Sequence, residues 1–220
     1  MIIFGRGAHA RTAYDAVIAA GIGPGDITFV VDSIYLGVEK SYCDSLLIAY
    51  ENISELDTYS SLVNVAIGEN LIRQRIATRF NSLNKYIKFG ANIVHPTAVV
   101  SSQASLGKGV FVGAFAYVGP GAKLGDGVIV NTGALVEHDC ILGDFSFIGP
   151  NTTLGGHVVV GERTFLGMSS TVKPRVILGD DVLIGSGSNV VKSITSCQLA
   201  FGSPAVIIRD RSPDERIFNP

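Results

Sequence analysis

From Val94 to Val190 every sixth residue is Val, Leu or Ile, seventeen positions in succession with no slip in register. Glycine follows eleven of them, at 107, 113, 119, 125, 143, 149, 155, 161, 167, 179 and 185. Four places after each hit, from Ala98 to Ser188, the residue is always Ala, Val, Cys, Ser or Thr. Such a period predicts a parallel β-helix. Each hexad makes one short strand and one turn, and three hexads make a triangular coil. The aliphatic and the small residue point inward and stack on their equivalents in the next coil, about 4.8 Å away. No single coil can bury its own face, so many are needed. Glycine is expected to supply the backbone angles of the turns.

The preceding residues keep a different rhythm. MIIFG predicts a first strand, and ARTAYDAVIAAG has helical spacing with a terminal glycine. ITFVVDS and LVNVAIG predict two more strands, and ENLIRQRIATRF a helix with one apolar face. Strand, glycine loop, helix, strand, then strand and helix spell a small parallel α/β domain, Rossmann-like, over residues 1–88. SLNKYIKFGANIVHP leads into the β-helix domain, residues 89–220, where FGSPAVIIRDRSPDERIFNP reads as a turn, one last strand and a polar tail.

With 47% apolar and 16% charged residues, the chain can bury a sizeable core and is not disordered. A net charge of −2 without any Lys/Arg-rich run argues against nucleic acid or an anionic membrane as main partner. No apolar run approaches the roughly 20 residues of a membrane span, and MIIFGRG has no signal-peptide pattern. Cys43, Cys140 and Cys197 lie far apart with no CxxC pair, which reads as reduced thiols of a cytoplasmic protein.

Gly5-Arg6-Gly7-Ala8-His9-Ala10 follows the first strand, opens the first helix and matches GxGxxA, with Asp32 ending the second strand. The first glycine permits a tight turn, the second lets backbone approach a pyrophosphate, and the helix N-terminus favours its charge. Residues 1–88 are half of a full dinucleotide fold, so one nucleotide half fits better. The alternative is a tight strand-to-helix turn with no ligand, His9 being a helix-start residue.

Residues eighteen apart lie above one another in a triangular coil. One corner column holds Lys108, Asp126, Asp144, Glu162 and Asp180, a solvent-facing edge; another holds Ser102, Pro120, His138, Gly156 and Pro174. His138 is thus the only imidazole of its column, one coil from Gly156, whose N–H no side chain shields. A base beside a bare amide gives acyl transfer its proton acceptor and its oxyanion donor. Asp139 is the expected orienter of the imidazole and Glu137 its rival; adjacent residues pair only if the turn bends them together. The alternative leaves His138 as a polar surface residue on a turn. His95 reads as structural, His157 as one out of column, and no zinc site is expected from four histidines without short paired spacing.

The order GRGAHA, IGENLIRQRI, HPTAVVS, NTGALVEHDC within hexapeptide repeats, then GSPA, resembles the bacterial sugar acetyltransferases of the sialic acid O-acetyltransferase and nucleotide-amino-sugar N-acetyltransferase type. The resemblance covers nearly the whole chain, and NTGALVEHDC is its most specific part. It implies a left-handed β-helix, a homotrimer with sites between neighbouring β-helices, a nucleotide-linked amino sugar on the N-terminal domain, and acetyl-CoA as cosubstrate along the β-helix groove. It also implies a role in surface glycan biosynthesis. By motif, His138 resembles the general base, Asp139 the acid beside it, Asn131 a pocket residue and Gly156 the amide donor to the thioester oxygen. Met168 and Ser186 fall where the family contacts acetyl-CoA. Gly5, Arg6, Gly7, Ala8 and His9 match the phosphate loop, Asp32 and Ser33 its base-and-ribose end, and Asn70 a sugar-side position.

Three departures stand out. Ala8 replaces a usual glycine; Phe147 replaces a histidine that contacts acetyl-CoA in some members; Val206 stands where relatives often carry a lysine suited to a CoA phosphate, with Arg209 and Arg211 further on. Cys140 occupies an inward small position and reads as core filler. The mechanism implied is direct transfer without an acyl-enzyme. O-acetylation of a sialic acid or other sugar is the nearest alternative, and a catalytically silent assembly scaffold the other.

Overall fold

The computed structural model describes residues 1–36, 41–55, 61–83 and 87–218. The first part contains β1 (Ile2–Phe4), α1 (Ala8–Ala19), β2 (Thr28–Val31), β3 (Ser41–Tyr42), β4 (Ser45–Ala49), β5 (Leu62–Val65), α2 (Asn70–Leu83) and β6 (Lys88–Phe89). These strands form one sheet in the order β3-β4-β2-β1-β5-β6, parallel except for β3. Ile3, Phe29, Val31 and Leu47 pack on the α1 side. Ile2, Phe4, Val30, Val63 and Val65 pack with Ala77 and Phe80 of α2 on the other. Burial on both faces explains why β1 reads as an unbroken apolar run. The hairpin β3–β4 and strand β6 go beyond the three strands expected. In β4 the buried residues are Ser45, Leu47 and Ala49, a period-two signal diluted by serine and alanine. The expected link through residues 84–86 lies outside the described residues.

The β-helix follows from Ile93. Seventeen two-residue strands run from Ile93–Val94 to Asn189–Val190, each ending on a hexad position. They form three parallel faces, and register pairs Phe111 with Ile129, Tyr117 with Leu135 and Lys123 with Ile141, each offset by eighteen residues. The inward column, Val112, Val118, Leu124 and their successors, fills a continuous core. After Val190 the chain makes two strands rather than one. Gln198–Gly202 extends the face holding Leu183–Ile184, and Ala205–Asp210 returns antiparallel to it.

The turn glycines have a different reason from the one expected. The left-handed residue of each corner comes three places after the hexad hit, and is often not glycine: Phe115, Asp139, Phe145, His157 and Arg163 all have φ between 53° and 60°. Glycine directly after the hit is required by close approach. A Cβ on Gly113 would sit 2.7 Å from the Thr132 nitrogen of the next coil.

Two features join the parts. The outward residues Ile93, Phe111, Ile129, Phe147 and Phe165, one per coil on one face, merge with the α1 side of the sheet into one apolar cluster. Along one edge of the prism, the corner carbonyls of Gly109, Gly127, Phe145, Arg163 and Asp181 accept side-chain hydrogen bonds. Asn64 Nδ2 donates at 3.4 Å to the first, Arg73 Nε at 2.9 Å and Nη2 at 2.7 Å to the next two, Asn70 Nδ2 at 2.8 Å and Arg211 Nη1 at 2.9 Å to the last two. Arg73 is wholly buried, and burial pushes its guanidinium down to about 9, only partly countered by the charge of Glu69.

Candidate functional site

The strand-to-helix loop opens on a cavity of about 780 Å³. Gly5 has φ +125°, and a Cβ there would lie 2.9 Å from the Ala66 carbonyl oxygen, so glycine is required by the fold. Gly7 is different. It is the N-cap of α1, makes no side-chain cap, and no atom from outside its own stretch of chain lies within 4 Å of where its Cβ would stand. Nothing in the fold demands glycine at this position, and its lack of a side chain leaves the first N–H groups of a twelve-residue helix open to an anion. The first turn carries no acidic residue to compete for them. Arg6, Gly7, Ala8 and His9 all line this cavity, as do Asp32 and Arg75.

His9 packs edge-on against Phe111 at 4.8 Å, with Nε2 buried and unpartnered. Burial, then the charge of Arg73, lowers its imidazole to about 3, so it is neutral near pH 7. Asp32 is paired with Arg79 Nη1 at 2.5 Å, and that guanidinium lies 3.5 Å from the centre of the Tyr50 ring. Sequence reasoning missed Arg79, which stands on the far part of α2 with no motif around it. Ser33 is exposed and does not line the cavity. Asn70 is buried, with its amide on the Arg163 carbonyl, so it serves the join between the two parts and is not at the cavity.

His138 and Asp139 occupy a corner of the β-helix after the strand Leu135–Val136. The left-handed Asp139 (φ 58°) turns its carboxylate back, and His138 Nδ1 donates to Oδ2 at 2.9 Å. This hydrogen bond is the main reason the carboxyl is held below its usual range; the nearby His157 and His138 rings add to it. Among the described residues the imidazole's hydrogen bond goes to Asp139 and none goes to Glu137. The ring lies over the bare α-carbon of Gly156, where an added Cβ would be 2.5 Å from Nε2. No acceptor takes the Gly156 N–H among the described residues. His157, eighteen residues after Asp139, stands directly in line with the carboxylate, its Nε2 3.7 Å from Oδ2 and its ring edge-on to His138 at 5.1 Å. The eighteen-residue rule applied to Asp139 would have found it. The ligand atoms of His138, Asp139 and His157 lie within 4.8 Å of one another, which is within reach of a cation.

A second cavity of about 410 Å³ runs along the β-helix. It is lined by Met168 and Ser186, and it shares Asn131, Phe147 and Phe218 with the first. Phe147 stacks on Phe165 at 4.6 Å, so the ring packs where a histidine would reach out. Cys140 is buried with Sγ 3.3 Å from the Gly155 carbonyl oxygen; burial pushes its thiol up, which suits filler and not a nucleophile. His138, Asp139 and Gly156 line neither cavity.

Residues 1–80 match the PglD N-terminal domain. Residues 103–138, 121–156 and 157–192 match the bacterial transferase hexapeptide family of six repeats. PerB from Caulobacter crescentus, solved in complex with CoA and GDP-perosamine, is 33% identical, with 94% of this chain and 96% of that chain aligned at TM-score 0.84. The chain belongs to the hexapeptide-repeat sugar acetyltransferase family. Another member, the acetyltransferase domain of PglB from Neisseria gonorrhoeae, solved in complex with acetyl coenzyme A, is 30% identical over 94% of this chain and 98% of that one, TM-score 0.84. WeeI from Acinetobacter baumannii shares the fold at 17% identity and TM-score 0.79. A search of curated protein sequences returns no significant match. The family's fold, an α/β domain followed by a left-handed parallel β-helix, is the one found here.

Proposed function

We propose that the protein transfers the acetyl group of acetyl-CoA to the amine of a nucleotide-linked amino sugar, with His138 as general base. The observation that carries this reading is the seat of the imidazole. Nδ1 is tied to the Asp139 carboxylate and Nε2 lies over Gly156, whose N–H is free among the described residues. With Nδ1 donating, the neutral ring keeps its Nε2 lone pair as proton acceptor. The amine nitrogen attacks the thioester carbonyl carbon; Nε2 takes the amine proton; the Gly156 N–H stabilises the oxyanion. The carbon–sulfur bond then breaks and CoA leaves as thiolate. Asp139 holds the tautomer. The first cavity receives the nucleotide sugar, its diphosphate on the Gly7 end of α1 and its base toward Asp32. The second receives the donor beside Met168 and Ser186.

The reading requires a second copy of the chain. The base lines neither cavity of its own copy, so a neighbour must bring its His138 edge to them. Outward apolar residues on the two other faces, with Val99 60%, Ile141 47% and Ile177 54% exposed, provide the surface for a homotrimer. No helix among the described residues is long and apolar enough to cross a membrane; the cytoplasm is where the reading expects the enzyme to meet acetyl-CoA and a nucleotide-linked sugar. The nucleotide-sized cavity favours a nucleotide-linked acceptor over a free sugar.

The test is mass spectrometry of products from acetyl-CoA and a panel of UDP-, dTDP- and GDP-linked amino sugars. Acetylation of one panel member at nitrogen is expected; products only from free sugars, or none, would overturn the reading. A companion result concerns the loop. Gly7→Val fills space the fold leaves open, so its Tm should fall only by what a poorer N-cap residue costs, while KM for the nucleotide sugar rises at least about tenfold, roughly 1.4 kcal/mol of binding. Unchanged KM would remove the diphosphate from this helix end.

A further inference from the structure

We propose that the C-terminal tail, residues 211–218, is part of the acceptor site and that Phe218 is a specificity-determining residue for the sugar. The proposal rests on the assignment of the two cavities above.

After Ala205–Asp210 the chain leaves the β-helix cap and crosses to the N-terminal domain. The bend is held by Arg209, bidentate to Glu215 at 2.6 and 2.9 Å, and by Arg211 Nη2, which donates to the Glu215 carbonyl at 2.6 Å. Beyond it the tail is anchored by residues that themselves line the first cavity. The Glu69 carboxylate accepts the backbone N–H of Ile217 at 3.1 and 3.2 Å and of Phe218 at 3.3 Å, and Arg75 pairs with Asp214 at 3.0 Å. Three main-chain contacts to one carboxylate fix the end of the tail whatever its side chains are. The ring is therefore the part that carries information.

That ring is held but not covered. Phe218 stands edge-on to Phe165 at 5.5 Å and against Gly68, where an added Cβ would lie 3.4 Å from it, yet it remains 51% exposed. It lines both cavities, a position it shares only with Asn131 and Phe147 among the described residues. Residues 5–9 of the phosphate loop line the first cavity alone. A nucleotide sugar with its diphosphate on that loop extends its other end, the sugar, toward the shared end, where the thioester arrives from the second cavity. An anchored aromatic ring with a free face offers van der Waals contact to the C–H face of a sugar and no hydrogen bond. Phe218 thus selects and orients the sugar while leaving the nucleotide to the loop.

The experiment compares Phe218→Ala and Phe218→Tyr with the parent protein by calorimetric titration with the panel sugar that the parent acetylates and with the corresponding free nucleoside diphosphate. If the parent acetylates none, the functional reading fails and the proposal falls with it, before any variant is compared. The expected result is at least a tenfold loss of nucleotide-sugar affinity in Phe218→Ala, unchanged affinity for the free diphosphate, and near-parent affinity for both in Phe218→Tyr. Equal weakening of both ligands would make the tail merely structural. Unchanged or tighter sugar binding would remove Phe218 from the site. Either result overturns the proposal.

Discussion

His138→Ala is expected to lower kcat by about 10²–10⁴-fold, the usual contribution of a positioned general base. That range corresponds to about 2.7–5.4 kcal/mol of transition-state stabilisation. KM for acetyl-CoA and for the nucleotide sugar should change little, because in the proposed complex the loop of residues 5–9 and the Met168 and Ser186 wall of the neighbouring copy hold the two ligands, and the ring meets only the reacting amine. Tm and oligomeric state should also hold, since among the described residues the side chain's one hydrogen bond is to the Asp139 carboxylate of its own copy. The pH behaviour sharpens the test. Asp139 has a lowered pKa, chiefly from the hydrogen bond with His138. A depressed carboxylate stays ionised above its folded value, so its help to the imidazole is present at neutral pH and is lost only as pH falls below the ordinary carboxylate range. An acid limb of kcat in the parent above that range is therefore not due to Asp139. Parent-like turnover in His138→Ala would end the assignment.

How far the site could be read from the sequence depends on which residues obey a period. His138 over Gly156 follows from the eighteen-residue stack, and the structure sets the two in contact. The turn geometry that brings Asp139 onto His138 does not follow from spacing, because it depends on a left-handed backbone at Asp139. His157 obeys the stack relative to Asp139 and not relative to His138, so the column of the base does not reveal it. Arg79 and Phe218 obey no period at all. One reaches Asp32 across the sheet and the other arrives at the end of a tail, so tertiary packing alone decides them. The same holds for Asn70. Its place in a family-like stretch suggested the sugar, whereas its amide is spent on a corner carbonyl. The fold shows the same division. Seventeen strands were legible because one hexad pattern recurs seventeen times; β3 and β4 occur once, β3 with no buried residue and β4 with a serine among its three buried positions.

The largest stability effect is expected at Arg73. Its three nitrogens reach six oxygens: the carbonyls of Ile67, Gly68, Gly127, Phe145 and Ser146 and the side-chain oxygen of Asn70, at 2.7–3.4 Å. None of them is a carboxylate. The guanidinium is stabilised by backbone dipoles, and burial is the chief cause that lowers its pKa to about 9, still well above neutrality. Met at this position retains much of the apolar stem and loses every donor. Leaving a buried carbonyl without a partner costs about 1–3 kcal/mol each; water entering the space restores some of these contacts. Arg73→Met is therefore expected to destabilise the protein by about 3–5 kcal/mol, within the range seen when a buried charged contact is broken. The loss should fall on the N-terminal domain, because Gly127 and Phe145 belong to coils that remain held by the ladder hydrogen bonds above and below. Urea unfolding followed by far-UV circular dichroism is the measurement. A low-denaturant transition that moves earlier in Arg73→Met, with the β-helix transition in place, is the expected result. Because the nucleotide cavity is built on that domain, KM for the nucleotide sugar should rise in the same variant while the affinity for acetyl-CoA changes less. Parent-like unfolding would mean that the corner carbonyls find water as readily as they find Arg73, and that the apolar stripe from Ile93 to Phe165 alone holds the two parts together.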